Sequence, residues 1–308
     1  MSPVSYRKVC IAALVAVCTI VVTGASVRLS GSGLGCADWP NCNASKLIDV
    51  STTHGTIEQL NRLFTGVVMI AVIAAVLGAL RRRPRRRDLT RLAIVIALGV
   101  PMQGVVGGVV VLTHLNPFAN QQHFLLSMVL VALATVLVVR SGEPDEGVSV
   151  STVSARTSLY VRGITAMTAL ALVSGTFVTG SGPHAGDEKA KRFHVAISSM
   201  ARVHSITVLL TIGLAAALFW RLRTHHADRE RLDNALTTWM IVAIAQAAIG
   251  YTQFFSGVPA VLVAIHVGFA TFLWLSTIRL QLTTAEVAAV EVATARAPCR
   301  STAEQLNG

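Results

Sequence analysis

Eight stretches of this sequence keep an apolar character for about 20 residues each, the length needed to cross a bilayer once. They run Val9 to Val27, Gly55 to Leu80, Leu89 to Leu112, Gln122 to Val139, Leu159 to Thr179, Val195 to Trp220, Ala235 to Phe255 and Pro259 to Leu280. The lipid core offers no water to satisfy backbone amides, so each run is expected to be a helix. Composition agrees, with 53% hydrophobic residues, 13% charged residues and a mean hydropathy of +0.62, a combination that excludes an ordinary soluble domain. Arg7 and Lys8 ahead of the first run imitate a secretory signal, but the apolar stretch is long and no A-x-A cleavage site ends it, so it is read as a membrane helix. The expected fold is an all-α polytopic membrane protein.

The net charge of +11 invites a nucleic-acid reading, and the placement of the basic residues argues against it. The densest run, Arg81 to Arg87, lies between the second and third spans. If that loop is cytoplasmic, Arg7, Lys8, Arg140, Arg156, Arg221, Arg223, Arg229, Arg231 and the C-terminal tail fall on the same side, as positive-inside statistics require. Both termini are then expected in the cytoplasm, in a multi-pass plasma-membrane protein whose basic loops contact anionic lipid.

On the other side, the loop Leu29 to Thr53 holds Cys36 and Cys42 in the string GSGLGCADWPNC. An oxidising compartment favours a disulfide there over two unpaired thiols or a metal pair, since no histidine stands beside them in sequence. Cys10, Cys18 and Cys299 are read as ordinary thiols.

The two sets of four spans match in outline. GASVRLSGSGLG follows the first span and SGTFVTGSGP the fifth. The third span reads MQGVVGGVVVLTHLNP and the seventh AQAAIGYTQFFSGVP, with Gln103 and Gln246 near their middles and glycines after each. His123 and His266 then stand near the outer ends of the fourth and eighth spans. An even number of spans separates the halves, so the repeat is parallel, and two pseudo-symmetric four-helix bundles are expected, residues 1–140 and 141–282, followed by a cytoplasmic tail, 283–308. That tail is expected to extend from the membrane with little fixed structure.

Polar groups inside a membrane are costly, and function is sought among them. In the second half, His204 and His266 fall toward the outer leaflet and could face each other across a bundle, the usual way to hold a haem iron from both sides. The alternative is a hydrogen-bonded packing role for each. In the first half, His123 matches His266, but the repeat equivalent of His204 is Asn61, a poor iron ligand. That site would hold a haem by one strong bond, recruit His54 two turns earlier, or leave one face open. Glu58 and Arg62 flank it: a carboxylate near a metal-bound substrate can move protons, and an arginine can neutralise a propionate. Alternatively the two form an i, i+4 ion pair that neutralises only itself.

Taken together, the cysteine-bearing outer loop, E-x-x-N-R at Glu58 to Arg62, GG before TH-x-NP, QHFLLSM, and the string from Gln246 to Pro259 resemble the haem A synthase family over nearly the whole chain, as an actinobacterial-like variant with Asn61 where many members have histidine. The resemblance implies an oxidoreductase that converts the C8 methyl of haem O to a formyl group, giving haem A for terminal oxidases, with haem b as cofactor. It implies that His204 and His266 ligate the haem b iron, that His123 ligates the substrate haem iron, that Glu58 is catalytic, and that Asn61, Arg62 and His54 line the substrate site. It also matches Cys36 and Cys42 to the outer-loop cysteines, and implies a haem O synthase and a cytochrome oxidase assembly route as partners.

A membrane b-type cytochrome that only relays electrons is the rival reading, but it would favour two like sites, and Asn61 opposite a histidine argues for unlike ones. A transporter with parallel repeats explains the duplication and not the histidines. His225 and His226 are read as solvated, His184 and His194 as lid, gate or exposed positions, and His114 as within reach of a haem edge.

Overall fold

The computed structural model describes residues 1–288, and all eight expected spans are helices. They are α1 (Pro3–Leu29), α2 (Thr53–Arg81), α3 (Arg87–Leu112), α4 (Pro117–Arg140), α5 (Ala155–Ser181), α6 (Ile197–Leu222), α7 (His226–Phe255) and α8 (Ala260–Leu282). Each spans a membrane by length and hydropathy, and only 22–33% of each apolar window is buried inside the protein, leaving the rest of its surface to lipid. The chain is a multi-pass membrane protein.

Local chemistry sets the helix starts. Ser2, Thr52, Asn116 and Ser154 each accept a hydrogen bond from a backbone N–H of the first turn, and Pro3 and Pro117 occupy first-turn positions where a missing N–H costs nothing. The helices overrun the apolar runs at several ends: α1 begins at Pro3 rather than Val9, and α7 takes in the polar turns from His226 to Asn234.

Packing divides the helices into two rings. The first closes α1 to α2, α2 to α3, α3 to α4 and α4 to α1; the second closes α5 to α6, α6 to α7, α7 to α8 and α8 to α5. The rings meet through α4 with α8, α1 with α8, and α4 with α5; exchanging α1–α4 for α5–α8 turns the α1–α8 pairing into the α5–α4 one and leaves the α4–α8 pairing as it is. At the seam, Trp274 Nε1 donates to the Met128 carbonyl (2.8 Å) and buried Gln121 Nε2 donates to Thr176 Oγ1 (2.7 Å).

The N-terminus, the arginine-rich loop after α2, the linker after α4 and the start of α7 share one face. The N-terminal amine bonds the Arg81 carbonyl (2.8 Å), buried Arg82 pairs with Asp145 (2.6 Å), and Arg86 Nη1 donates to the Pro144 carbonyl. There the structure departs from the expected loose tail: β1 (Val148–Ser151) pairs antiparallel with β2 (Ala285–Ala288), because the backbone leaving α8 meets the extended linker between the halves. The rest of the tail, including Cys299, lies outside the described residues. The opposite face carries the loops after α1, α3, α5 and α7. They are joined by Gly33 N to the Gly186 carbonyl (3.0 Å), by His184 Nε2 to the Val258 carbonyl (2.7 Å), and by a small cluster of Val110, Leu115, Ala185 and Ala190.

Candidate functional site

The second half brings four helices to one constellation. His204 on α6 shares a 3.0 Å hydrogen bond between its Nδ1 and Ser174 Oγ of α5, which leaves Nε2 as the ring nitrogen free to bind. On α8, His266 is met by Gln246 of α7, whose Nε2 lies 3.2 Å from His266 Nε2 and donates to the His266 carbonyl at 3.1 Å. That amide nitrogen can only donate, so it meets the His266 Nε2 lone pair, which a metal would take in its place, and Nδ1 is buried with no partner among the described residues. Glycines make room for both rings: a methyl at Gly175 would stand 3.2 Å from His204 Cε1, and one at Gly250 would stand 2.9 Å from His266 Cε1. The two rings are within electrostatic reach of one another, and the Ser205 and Tyr251 hydroxyls bond α6 to α7 beside them.

The first half repeats the α7–α8 part of this arrangement and alters the rest. Gln103 Nε2 on α3 donates to the His123 carbonyl (3.2 Å) and to Ser127 Oγ (2.7 Å). The glutamine and histidine are 20 residues apart in both halves. Gly107 faces His123 as Gly250 faces His266, with a methyl placed 3.3 Å from Cε1, and His123 Nδ1 is likewise buried without a partner. On the α1–α2 side, Thr23 stands for Ser174, Gly24 for Gly175 and Asn61 for His204. Thr23 Oγ1 donates to Asn61 Oδ1 at 2.8 Å, and a methyl at Gly24 would lie 4.0 Å from Asn61 Nδ2.

Above this site lies the outer loop, closed by a Cys36–Cys42 disulfide. Glu58, 6% exposed, accepts from the Cys36 N–H through Oε2 (2.8 Å) and from Arg62 Nε and Nη2 through Oε1 (3.1 and 2.6 Å). Arg62 also donates to the carbonyls of Asp38, Pro40 and Asn41, so its guanidinium is taken up by the loop and by Glu58. Trp39 seats its indole on α3, where a methyl at Gly108 would come within 2.5 Å of it, one residue from the glycine that faces His123. No motif in the sequence pairs Trp39 with Gly108. His54 is exposed and bonded through Nδ1 to Ser32 Oγ (2.9 Å), toward the outer end of α2 and away from Asn61.

Of the remaining histidines, His184 ties two outer loops together, His194 is exposed, and His114 occupies a left-handed turn position (φ 52°) between α3 and α4. His225 and His226 are exposed on the basic face, as expected.

The donor set fits haem. Imidazoles anchored through a second nitrogen, as His204 is by Ser174, or through a flanking carbonyl, as His123 and His266 are by Gln103 and Gln246, are held as iron ligands are. Glycine opposite each ring keeps space that any larger side chain would fill. Arg28 and Arg192 stand within electrostatic reach of each other on the outer side, with the loop carrying Arg192 packed on Arg28 through Gly186. Arg192 Nη1 is buried without a partner among the described residues, a setting suited to a carboxylate.

A family model described as cytochrome oxidase assembly protein matches residues 7–54 and 47–278. The chain is similar to proteins named "Heme A synthase" from Geobacillus kaustophilus (27% identical over 162 residues, 52% of this chain and 51% of that one) and Listeria monocytogenes (31% over 170 residues, 54% and 55%). A protein of the same name from Lysinibacillus sphaericus is 33% identical over 129 residues, 42% of this chain and 41% of that one. The chain thus matches about half the length of these curated relatives.

Proposed function

The chain belongs to the COX15-CtaA family of cytochrome oxidase assembly proteins, and from that membership we propose that it is a haem A synthase, oxidising the C8 methyl of haem O to a formyl group. The observation that carries this reading is the unlike pair of constellations: one half offers two imidazoles, the other one imidazole opposite an asparagine. Like sites would suit electron relay alone. Unlike sites suit one haem held as cofactor and one held as substrate.

In this reading His204 and His266 hold haem b, which supplies one-electron transfer when bound. Ser174 and Gln246 orient their rings, and Gly175 and Gly250 keep the space between helices. In the first half, His123 holds the iron of haem O, with Gln103 fixing the start of its helix turn. Glu58 is the group that handles protons. Oε1 is filled by the two Arg62 contacts, and Oε2, which accepts from the Cys36 N–H, is the oxygen left to take up a proton. Arg62 and the disulfide loop hold Glu58 in place and exclude water, and Arg28 and Arg192 are the groups left to neutralise propionates. His54 lines the outer rim. The two halves act as pseudo-symmetric bundles, 1–140 and 141–282.

The basic face is placed in the cytoplasm, with both termini, in the plasma membrane. A haem O synthase would supply the substrate, and a terminal oxidase assembly route would take the product.

The test is expression in a host that makes haem O and no haem A, with the extracted pigments identified by chromatography and mass detection. Haem A or its hydroxylated precursor is expected. Untouched haem O beside a folded, haem-bearing protein would overturn the enzyme reading in favour of an electron carrier.

A further inference from the structure

Thr23, Gly24 and Asn61 occupy in the first half the places that Ser174, Gly175 and His204 occupy in the second, and the chemistry at those places differs in one respect. Ser174 meets an imidazole nitrogen, whereas Thr23 donates its hydroxyl proton to Asn61 Oδ1. In this arrangement the amide oxygen meets the Thr23 hydroxyl, which also has the Ile20 carbonyl at 3.3 Å, and the NH2 end stands beside Gly24, 4.0 Å from where a methyl there would lie. Asn61 Nδ2 has no hydrogen-bond partner among the described residues, and it is not among the buried unpartnered atoms, so it faces accessible space. An asparagine side chain is also shorter than histidine. Its amide nitrogen is two bonds from Cβ, while the histidine Nε2 that would reach an iron is three.

We propose, resting on the haem O reading above, that the first-half site binds haem with His123 as its one protein ligand, and that Asn61 caps the opposite face as a hydrogen-bond donor to a small exogenous molecule on the iron, of the class of dioxygen, carbon monoxide or water. Thr23 is the positioning residue that keeps the donor end of the amide toward that molecule. The role of His54 follows from its place: bonded to Ser32 two helical turns toward the outer end, about 10 Å along the axis, it does not take the vacant position. The two halves then differ in reactivity by one side chain, with the second-half haem closed on both sides.

The probe is carbon monoxide on the full-length chain in detergent, saturated with ferrous haem B and checked for two haems per chain. One haem is expected to shift on adding carbon monoxide while the other keeps its low-spin bis-imidazole spectrum. Asn61→His should close the reactive haem, lowering its carbon monoxide affinity at least tenfold. Asn61→Ala should leave binding intact but shift the C–O stretching frequency, and Thr23→Val should shift it in the same direction by less. The unreacted second-half spectrum reports folding in each variant. Uptake of a single haem, reaction of both haems or of neither, or an Asn61→His variant that binds as wild type overturns the proposal. Haem A formation is scored separately. If it fails while one haem reacts in an Asn61-dependent way, the enzyme assignment falls and this site stands; haem A formation with two unreactive haems means the reverse.

Discussion

Glu58 Oε1 and Arg62 Nη2 lie 2.6 Å apart, and through them helix α2 holds both walls of the disulfide loop: Glu58 takes the Cys36 N–H while Arg62 takes the Asp38, Pro40 and Asn41 carbonyls. The E-x-x-N-R string is therefore a structural clasp as well as part of a candidate active site.

The clasp separates two substitutions. Glu58→Gln keeps an acceptor for Cys36 but removes the ionisable group, so haem A formation should stop with the second-half haem retained. Arg62→Ala leaves a buried carboxylate without its counter-charge, and should cost about 2–3 kcal/mol, less than a fully buried pair because 20% of the Arg62 side chain remains exposed. Thermal unfolding midpoints and protease cleavage of the loop would show it. Full haem A production by Glu58→Gln would remove the proton-handling role.

Reducing the Cys36–Cys42 disulfide, or making Cys36→Ser, should cost about 2 kcal/mol, the loop-closure value for so short a separation. The Glu58 bond is to the Cys36 backbone and survives the change. Haem content should therefore hold while the unfolding midpoint falls; loss of all haem would mean the disulfide is what keeps the loop docked.

His266→Ala should abolish the low-spin haem spectrum, and His123→Ala should leave it in place. Optical and paramagnetic resonance spectra of the purified variants decide this. The opposite pattern would exchange the roles assigned to the two halves.

A methyl at Gly250 meets His266 Cε1 at 2.9 Å, closer than real Cβ atoms approach a neighbour, whereas the same change at Gly107 meets His123 Cε1 at 3.3 Å. Gly250→Ala should visibly shift the second-half haem spectrum, and Gly107→Ala should disturb its own site less. Equal effects would show that the rings tilt freely and that the glycines do not set their place.

Arg82 is 1% exposed and depends on Asp145 and the Pro84 carbonyl. Asp145→Ala should cost about 3–5 kcal/mol by leaving a buried guanidinium without its counter-charge. Asp233→Ala, which breaks the exposed Arg229 pair, should stay within about 0.5 kcal/mol. Unfolding curves in one detergent compare the two directly.

The membrane spans were readable because lipid imposes a length and a composition that few other constraints imitate, and helix ends were not, because backbone hydrogen bonds continue through polar turns such as His226 to Asn234. The equivalence of Asn61 and His204 came from aligning the halves, and the structure supplies its companion signal, Thr23-Gly24 against Ser174-Gly175, which stands in the sequence as TG and SG at matching places. Other features left no local trace. The Trp39 seat on Gly108 joins residues with no shared motif, and the Glu58 bond to Cys36 uses a backbone N–H that any residue at 36 would carry. The strand pair β1 and β2 unites segments more than a hundred residues apart, each too short to announce itself.

That strand pair has a topological meaning. The segment that leads into α5 and the segment that leaves α8 lie side by side, so the second half is a loop of chain whose ends meet, with Thr152 and Thr284 already joined by a backbone bond of 3.0 Å. A chain closed in this way tolerates being cut elsewhere. With the exposed turn before α7 cut, the strand pair would still hold the start of α5 to the end of α8, and α5 to α8 would keep their neighbours.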